Sequence, residues 1–216
     1  MTYYKAVRPD GASFHDPEFR WLPESGHIAD YVVTHPTANT IGKRASRYLS
    51  VSAVATECTG MRWPCRLLEV EPAGEVATPE PDERPNKRAG VAFRVARELP
   101  ATDALGPQGV QVAALIERSR RLAADDLQRL TAEWPAAWAA RDVAWEAATD
   151  AARDAAGGAA WDAAEGVAWG AAWVARDVAL ALVVRDLIST EDYDTLTLPW
   201  RQTIGPIHPD DKELSR

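Results

Sequence analysis

Between Ala132 and Ala181, 22 of 50 residues are alanine, and six of the chain's nine tryptophans fall in the same window. Alanine has the best helix propensity of all residues, but burying its methyl group contributes little hydrophobic free energy. Such a stretch forms helices readily and holds them together only if bulkier side chains fill the space between closely spaced axes. The indoles supply that bulk. At about 100° per residue, Trp138 and Trp145 lie about 40° and 20° from Trp134, so the three share one stripe if Pro135 does not break the phase. Beyond Gly157-Gly158, Trp169 and Trp173 fall on the side of Leu180, Val184 and Leu187, while Val167, Val174 and Val178 line another side. A helix over Ala159–Ile188 that is apolar on two sides wants neighbours on two sides and is expected at the centre of a bundle.

Further helices are expected over Val110–Ile116, over 121–134, where Leu122, Leu127 and Leu130 recur at helical spacings, and over 136–156. Another starts at Ser189, whose hydroxyl is a good N-cap with Asp192 three residues on, and it ends at Pro199. The run Ala140-Arg141-Asp142-Val143-Ala144 recurs in related form at 152–156 and 175–179. Its unequal spacing indicates degenerate duplication rather than a solenoid.

The first hundred residues follow a period of two. Tyr3–Val7 reads as a strand stopped by Pro9-Asp10-Gly11, Tyr31–Thr34 as a second and Tyr48–Val54 as a third. Cys65–Glu71 puts Leu68 and Val70 on one face and Glu69 and Glu71 on the other, and Pro72-Ala73-Gly74 turns the chain toward Glu75-Val76-Ala77. Val91–Leu99 places Val91, Phe93, Val95 and Leu99 on one face with Arg94 and Glu98 opposite. Thr78–Arg88, rich in proline and charge, reads as an exposed loop, and Thr37–Arg47 has room for one short helix. The fold class expected is α+β: a small curved antiparallel sheet module over 1–104, then an Ala/Trp-rich helical bundle of four or five helices over 105–216.

At 216 residues with two cysteines, the chain is no disulfide scaffold. Gly166–Ile188, its most apolar stretch, is interrupted by Arg176, Asp177, Arg185 and Asp186, so a membrane span is not expected. The N-terminus lacks the apolar core of a signal peptide, and the expected location is the cytoplasm. Residues 1–107 hold 13 basic and 14 acidic side chains, residues 108–216 hold 11 and 18. The acidic second half repels phosphate, which disfavours a nucleic-acid partner and, at a net charge of −8, makes only a modest phosphate mimic.

Six residues separate Cys58 from Cys65, wider than the usual spacing of a zinc pair, and His15, His27, His35 and His208 form no ligand pair at helical spacing. Buried free thiols are expected, with no metal and no resident cofactor. Gly-rich phosphate loops, Gly-x-Ser-x-Gly and His-Glu-x-x-His do not occur. One constellation carries chemistry: Arg47-Tyr48-Leu49-Ser50-Val51-Ser52, followed by Glu69 and Glu71 on the next strand. It is similar to ADP-ribosyltransferase patterns, in which a strand-borne Ser-x-Ser supports the site and a later glutamate orients a ribose. A carboxylate can grip a ribose hydroxyl and an arginine a pyrophosphate, although serine and glutamate also sit on the outer faces of ordinary half-buried strands. Trp200 and Arg201 are candidates for a partner-binding anchor, since both residue types are favoured at hot spots. The alternative is that Trp200 pins the chain terminus onto the bundle.

The stretches Tyr4–Gly11, Cys65–Pro72, Lys87-Arg88-Ala89 with Phe93–Leu99, and Asp186-Leu187-Ile188 through Pro199-Trp200 resemble a group of uncharacterised proteins of actinobacteria and their phages. In that group a small β-rich module precedes Ala-, Trp- and Asp-rich helices. The resemblance implies a bacterial or phage cytoplasmic setting and no particular activity. Two functions are carried forward: a non-catalytic protein that binds a protein partner or itself through the helical part, and an NAD-binding, ADP-ribosyltransferase-like enzyme with its site on the sheet.

Overall fold

The computed structural model describes residues 1–25, 28, 31–38, 40–41, 47–58, 60–133, 146 and 177–211, the side chain of Leu127 excepted. The chain divides into two compact units, Met1–Ala104 and Leu105–Arg216, and its class is α+β.

The first unit is a seven-stranded antiparallel sheet of β1 (Tyr3–Val7), β2 (Val32–Thr34), β3 (Leu49–Ser52), β4 (Arg66–Pro72), β5 (Val76–Ala77), β6 (Lys87–Gly90) and β7 (Ala92–Leu99). Their order across the sheet is β2-β7-β4-β1-β3-β6-β5. Only Val91 separates β6 from β7 along the chain, yet β4, β1 and β3 lie between them in the sheet. Four strand spacings in a flat sheet amount to about 19 Å, whereas two residues reach at most about 7 Å. The sheet therefore curls until β6 and β7 lie end to end, with β4–β5 and β6–β7 as the two arms of one bent hairpin.

Curling gives the sheet an inner and an outer face. Tyr3 and Val7 of β1, Val33 of β2, Leu49 and Val51 of β3, Leu68 and Val70 of β4, and Phe93 and Val95 of β7 pack into one cluster on the inside, joined by Trp21 and Leu22 from the β1–β2 connection. That connection is folded back by a turn at Gly11, whose φ of +86° excludes most side chains. A Cβ there would also stand 2.8 Å from that of Leu22. Edge-on contacts tie the aromatics together: Tyr3 to Phe93 at 6.4 Å and Phe19 to Trp21 at 6.1 Å between ring centroids.

One expectation from the alternation fails at a bulge. Glu69 pairs with Arg97 but Val70 pairs with Val95, so Ala96 is an extra residue on β7. Each such residue reverses the faces beyond it. Phe93 and Val95 point inward as the period predicts, but Leu99 pairs with Leu67 on the outer face, and Glu98 pairs with Leu68 on the inner one. Glu98 is accommodated at that end by two bonds from Arg66, of 2.9 and 2.6 Å. A second difference is β6. Lys87–Gly90 falls at the end of the stretch read as an exposed loop, because its charged residues hide a strand that pairs on both edges, with β3 and β5.

In the second unit, α1 (Gly109–Ser119), α2 (Ala124–Glu133) and α3 (Thr190–Thr203) are joined by a helical segment over 177–183. Val178 to Leu182 are at most 2 % exposed, so this segment is enclosed around its whole circumference, as its apolar composition requires. It gives way to turns over 184–187 rather than continuing to Ile188, and Leu187 is 67 % exposed instead of lying beside Leu180 and Val184. Ser189 caps α3 as expected, accepting the Asp192 N–H at 3.1 Å. Pro199 does not end the helix, which runs through it to Thr203. An interior proline costs about 3 kcal/mol; fully buried Leu196 and Trp200 on either side hold the helix through it.

The tryptophan stripe Trp134–Trp145, the indoles Trp161, Trp169 and Trp173, and most of the three related repeats lie outside the described residues, as does most of the short helix expected over Thr37–Arg47. Among the described residues no helix is long and apolar enough to cross a membrane.

The curl brings β6 against the core at Gly90, where an added Cβ would sit 2.7 Å from Cζ of the fully buried Phe93 ring. Gly90→Ala is expected to destabilise the chain by about 1–3 kcal/mol, measured by urea unfolding. An unchanged midpoint would contradict the close approach.

Candidate functional site

The serine and glutamate candidates lie on the outer face. Leu49 and Val51 point inward, so Ser50 and Ser52 point outward, and the same alternation puts Glu69 and Glu71 outside. Strand β4 follows β3 in the chain but does not neighbour it: β1 lies between them. Tyr4 pairs with Ser52 on one side and Glu69 on the other, Glu69 with Arg97, and Ser52 with Lys87. Arg97, Glu69, Tyr4, Ser52 and Lys87 thus form one polar row across five strands. Ser52 and Glu69 are two strand spacings apart, about 10 Å.

Four members of this row have side-chain partners. Glu69 accepts from Arg97 at 2.9 Å and Glu71 pairs with Arg94. Ser52 is 2 % exposed and accepts the Val54 N–H at 3.1 Å. Lys87 pairs with Glu80 at 2.8 Å and lies over the Tyr48 ring. Ser50 falls one row away, and Arg47 precedes β3 as an exposed residue. The register therefore brings Ser52 and Glu69 onto one row of a convex face and leaves Ser50, Glu71 and Arg47 off it. Exposed cross-strand pairs of this kind contribute about 0.2–1 kcal/mol each.

Trp200 and Arg201 are not an exposed anchor. Trp200 is 0 % and Arg201 9 % exposed, because α3 turns both toward the interior of its unit. The Arg118 guanidinium lies 6.0 Å from the Trp200 ring and donates to Pro206 O at 2.6 Å and Ile204 O at 3.1 Å. Arg201 pairs with Asp194. Together these contacts fix the chain after α3, the alternative role given to Trp200 above.

The inner face holds the group that the sequence reading passed over. Lys5 lies between Tyr3 and Val7 on β1, the central strand, and is only 7 % exposed. Its Nζ stands 5.1 Å from the centroid of the Trp21 ring. No hydrogen bond or ion pair reaches it among the described residues. Strand β1 pairs with β3 only at Tyr4, and beyond that point the short helical turn Ala55–Glu57 lies against β1. Cys58 follows this turn, and its sulfur receives a hydrogen bond from the Ala6 backbone. Burial pushes the Lys5 amine down to about 8; the Cys58 thiol works against the shift and the Lys87 cation adds to it. Burial likewise raises the Cys58 thiol to about 11 and the Cys65 thiol to about 12. Both cysteines are free thiols, and among the described residues no three His, Cys, Asp or Glu side chains cluster as a metal site would require. Alternation alone placed Lys5 with Tyr3 and Val7; what obscured it is that long lysine side chains usually carry their charge out to water.

No family model, no curated protein and no solved structure matches this chain.

Between pH 8 and the ordinary lysine value of 10.5, the unfolded chain holds a proton that the folded chain has released, so stability rises with pH in that window. Above about pH 9 the two thiols oppose the rise, since the fold keeps them protonated. Lys5→Met is expected to gain about 3 kcal/mol at pH 7 and to lose the rise between pH 8 and 9, as read by urea unfolding at each pH. A variant with the wild-type slope would contradict the assignment.

Proposed function

We propose that this chain is a non-catalytic interaction protein of a bacterial or phage cytoplasmic setting, with its helical second unit as the binding or oligomerisation surface. One observation carries this reading. Val110 and Leu187 are 65 % and 67 % exposed, and the hydrogen bond from Gln108 to Asp186, 3.1 Å long, joins the backbone segments that bear them. Two large apolar side chains left in water on segments so linked favour a partner. The acidic excess of residues 108–216 favours a basic rim on that partner. On the sheet, Glu69 and Glu71 are engaged by Arg97 and Arg94, which suits a structural role.

Light scattering is expected to give a mass above the 23.6 kDa of one chain, rising with concentration, and the double variant Val110→Glu, Leu187→Glu to return it to one chain with unchanged helix content. A wild type that stays monomeric and retains nothing from a bacterial lysate would contradict the proposal.

A second reading, an NAD-binding enzyme of the ADP-ribosyltransferase type, draws support from Ser52 and Glu69 sharing one row. Calorimetry decides it. Saturable NAD binding weakened by Ser52→Ala or Glu69→Ala would favour it, and the absence of heat at millimolar NAD removes it.

A further inference from the structure

The geometry points to Lys5 as a covalent carbonyl-binding site, an amine on the inner face of the curled sheet that captures a small aldehyde or 2-oxo acid as an imine. The site is independent of the interaction surface on the second unit, since holding a carbonyl ligand requires no turnover.

Several features converge on this amine. It is more than nine-tenths buried, it has no counter-charge among the described residues, and its nearest aromatic neighbour is the face of Trp21. A lysine placed inside a protein for stability is normally paired with a carboxylate, because an isolated buried ammonium is costly. Here four carboxylates of this unit serve other cations: Glu80 holds Lys87, Glu98 holds Arg66, Glu69 holds Arg97 and Glu71 holds Arg94, and Glu57, on the turn against β1, accepts from Asn86. Desolvation is the environment that keeps a lysine amine neutral and nucleophilic, and burial is the main influence on Lys5. The Trp21 ring offers a flat surface to a planar C=N group.

The step balances without an outside oxidant. The nitrogen lone pair attacks the carbonyl carbon, the oxygen takes up a proton, and the carbinolamine hydroxyl leaves as water while nitrogen gives up its last proton. The imine nitrogen that remains is neutral, so the ammonium charge is removed rather than compensated. Cyanoborohydride traps it by delivering hydride to the imine carbon, and water supplies the proton to nitrogen.

The chain has four lysines, Lys5, Lys43, Lys87 and Lys212, so one peptide map reads the competition among them. The folded full-length protein is exposed briefly to glyoxylate and cyanoborohydride near neutral pH, and the label is counted at each lysine, with the urea-unfolded chain as reference. Lys5 is expected to react about tenfold or more faster in the folded chain than in the unfolded one, to lead Lys43, Lys87 and Lys212, and to lose the label in Lys5→Arg. Label confined to the other lysines, or a Lys5 rate no higher folded than unfolded, would overturn the proposal.

Discussion

The indole of Trp21 closes the inner face of the sheet, and the rest of the first unit is arranged around it. A curled antiparallel sheet buries its concave face only if something fills the inside. Trp21 does so against Phe93, at 6.2 Å between centroids, while Phe19 packs on its edge. Reaching that position requires the β1–β2 connection to fold back at Gly11, where the Trp21 N–H donates to Gly11 O at 2.9 Å. The same ring then becomes the surface on which the Lys5 amine rests. An aromatic face stabilises a nearby cation by about 0.5–2 kcal/mol, which is less than the cost of burying it. Lys5 therefore gives up its proton more easily than an ordinary lysine.

Much of this sheet was legible in the sequence. Tyr3–Val7 has the bounds expected of it, and Cys65–Glu71 is displaced by a single residue from Arg66–Pro72. Strong alternation made these strands visible. What escaped was set by tertiary context. The extra residue Ala96 carries no signal of its own, so Leu99 and Glu98 were assigned to each other's faces. Lys87 and Arg88 look like loop residues until their pairing with β3 is known. In the second unit, Pro199 reads as a stop and is overridden by the packing of Leu196 and Trp200. The candidate site fared similarly: the sequence indicated that Ser52 and Glu69 face outward, but their separation by β1 is a matter of strand order, which no local pattern encodes.

The two units place different chemistry in view. On the sheet, the outer polar row satisfies its own charges strand by strand, whereas the inner face keeps one amine without a counter-ion. On the helical unit, Asp186 and His208 bond to Gln108, and Val110 and Leu187 flank that contact in water. A protein that binds through its helices and holds a small carbonyl ligand within its sheet would use both features without either site needing the other.

The state of Lys5 tests the central claim most directly. With the four lysines isotopically labelled at the side chain, nuclear magnetic resonance follows each amine through a pH titration of the intact chain. The expected result is a Lys5 midpoint at about 8, well below its ordinary 10.5, with a perturbed chemical shift from the ring current of Trp21. A Lys5 midpoint at the ordinary value, free of ring-current shift, would show that the amine lies in water and contradict the account of the inner face.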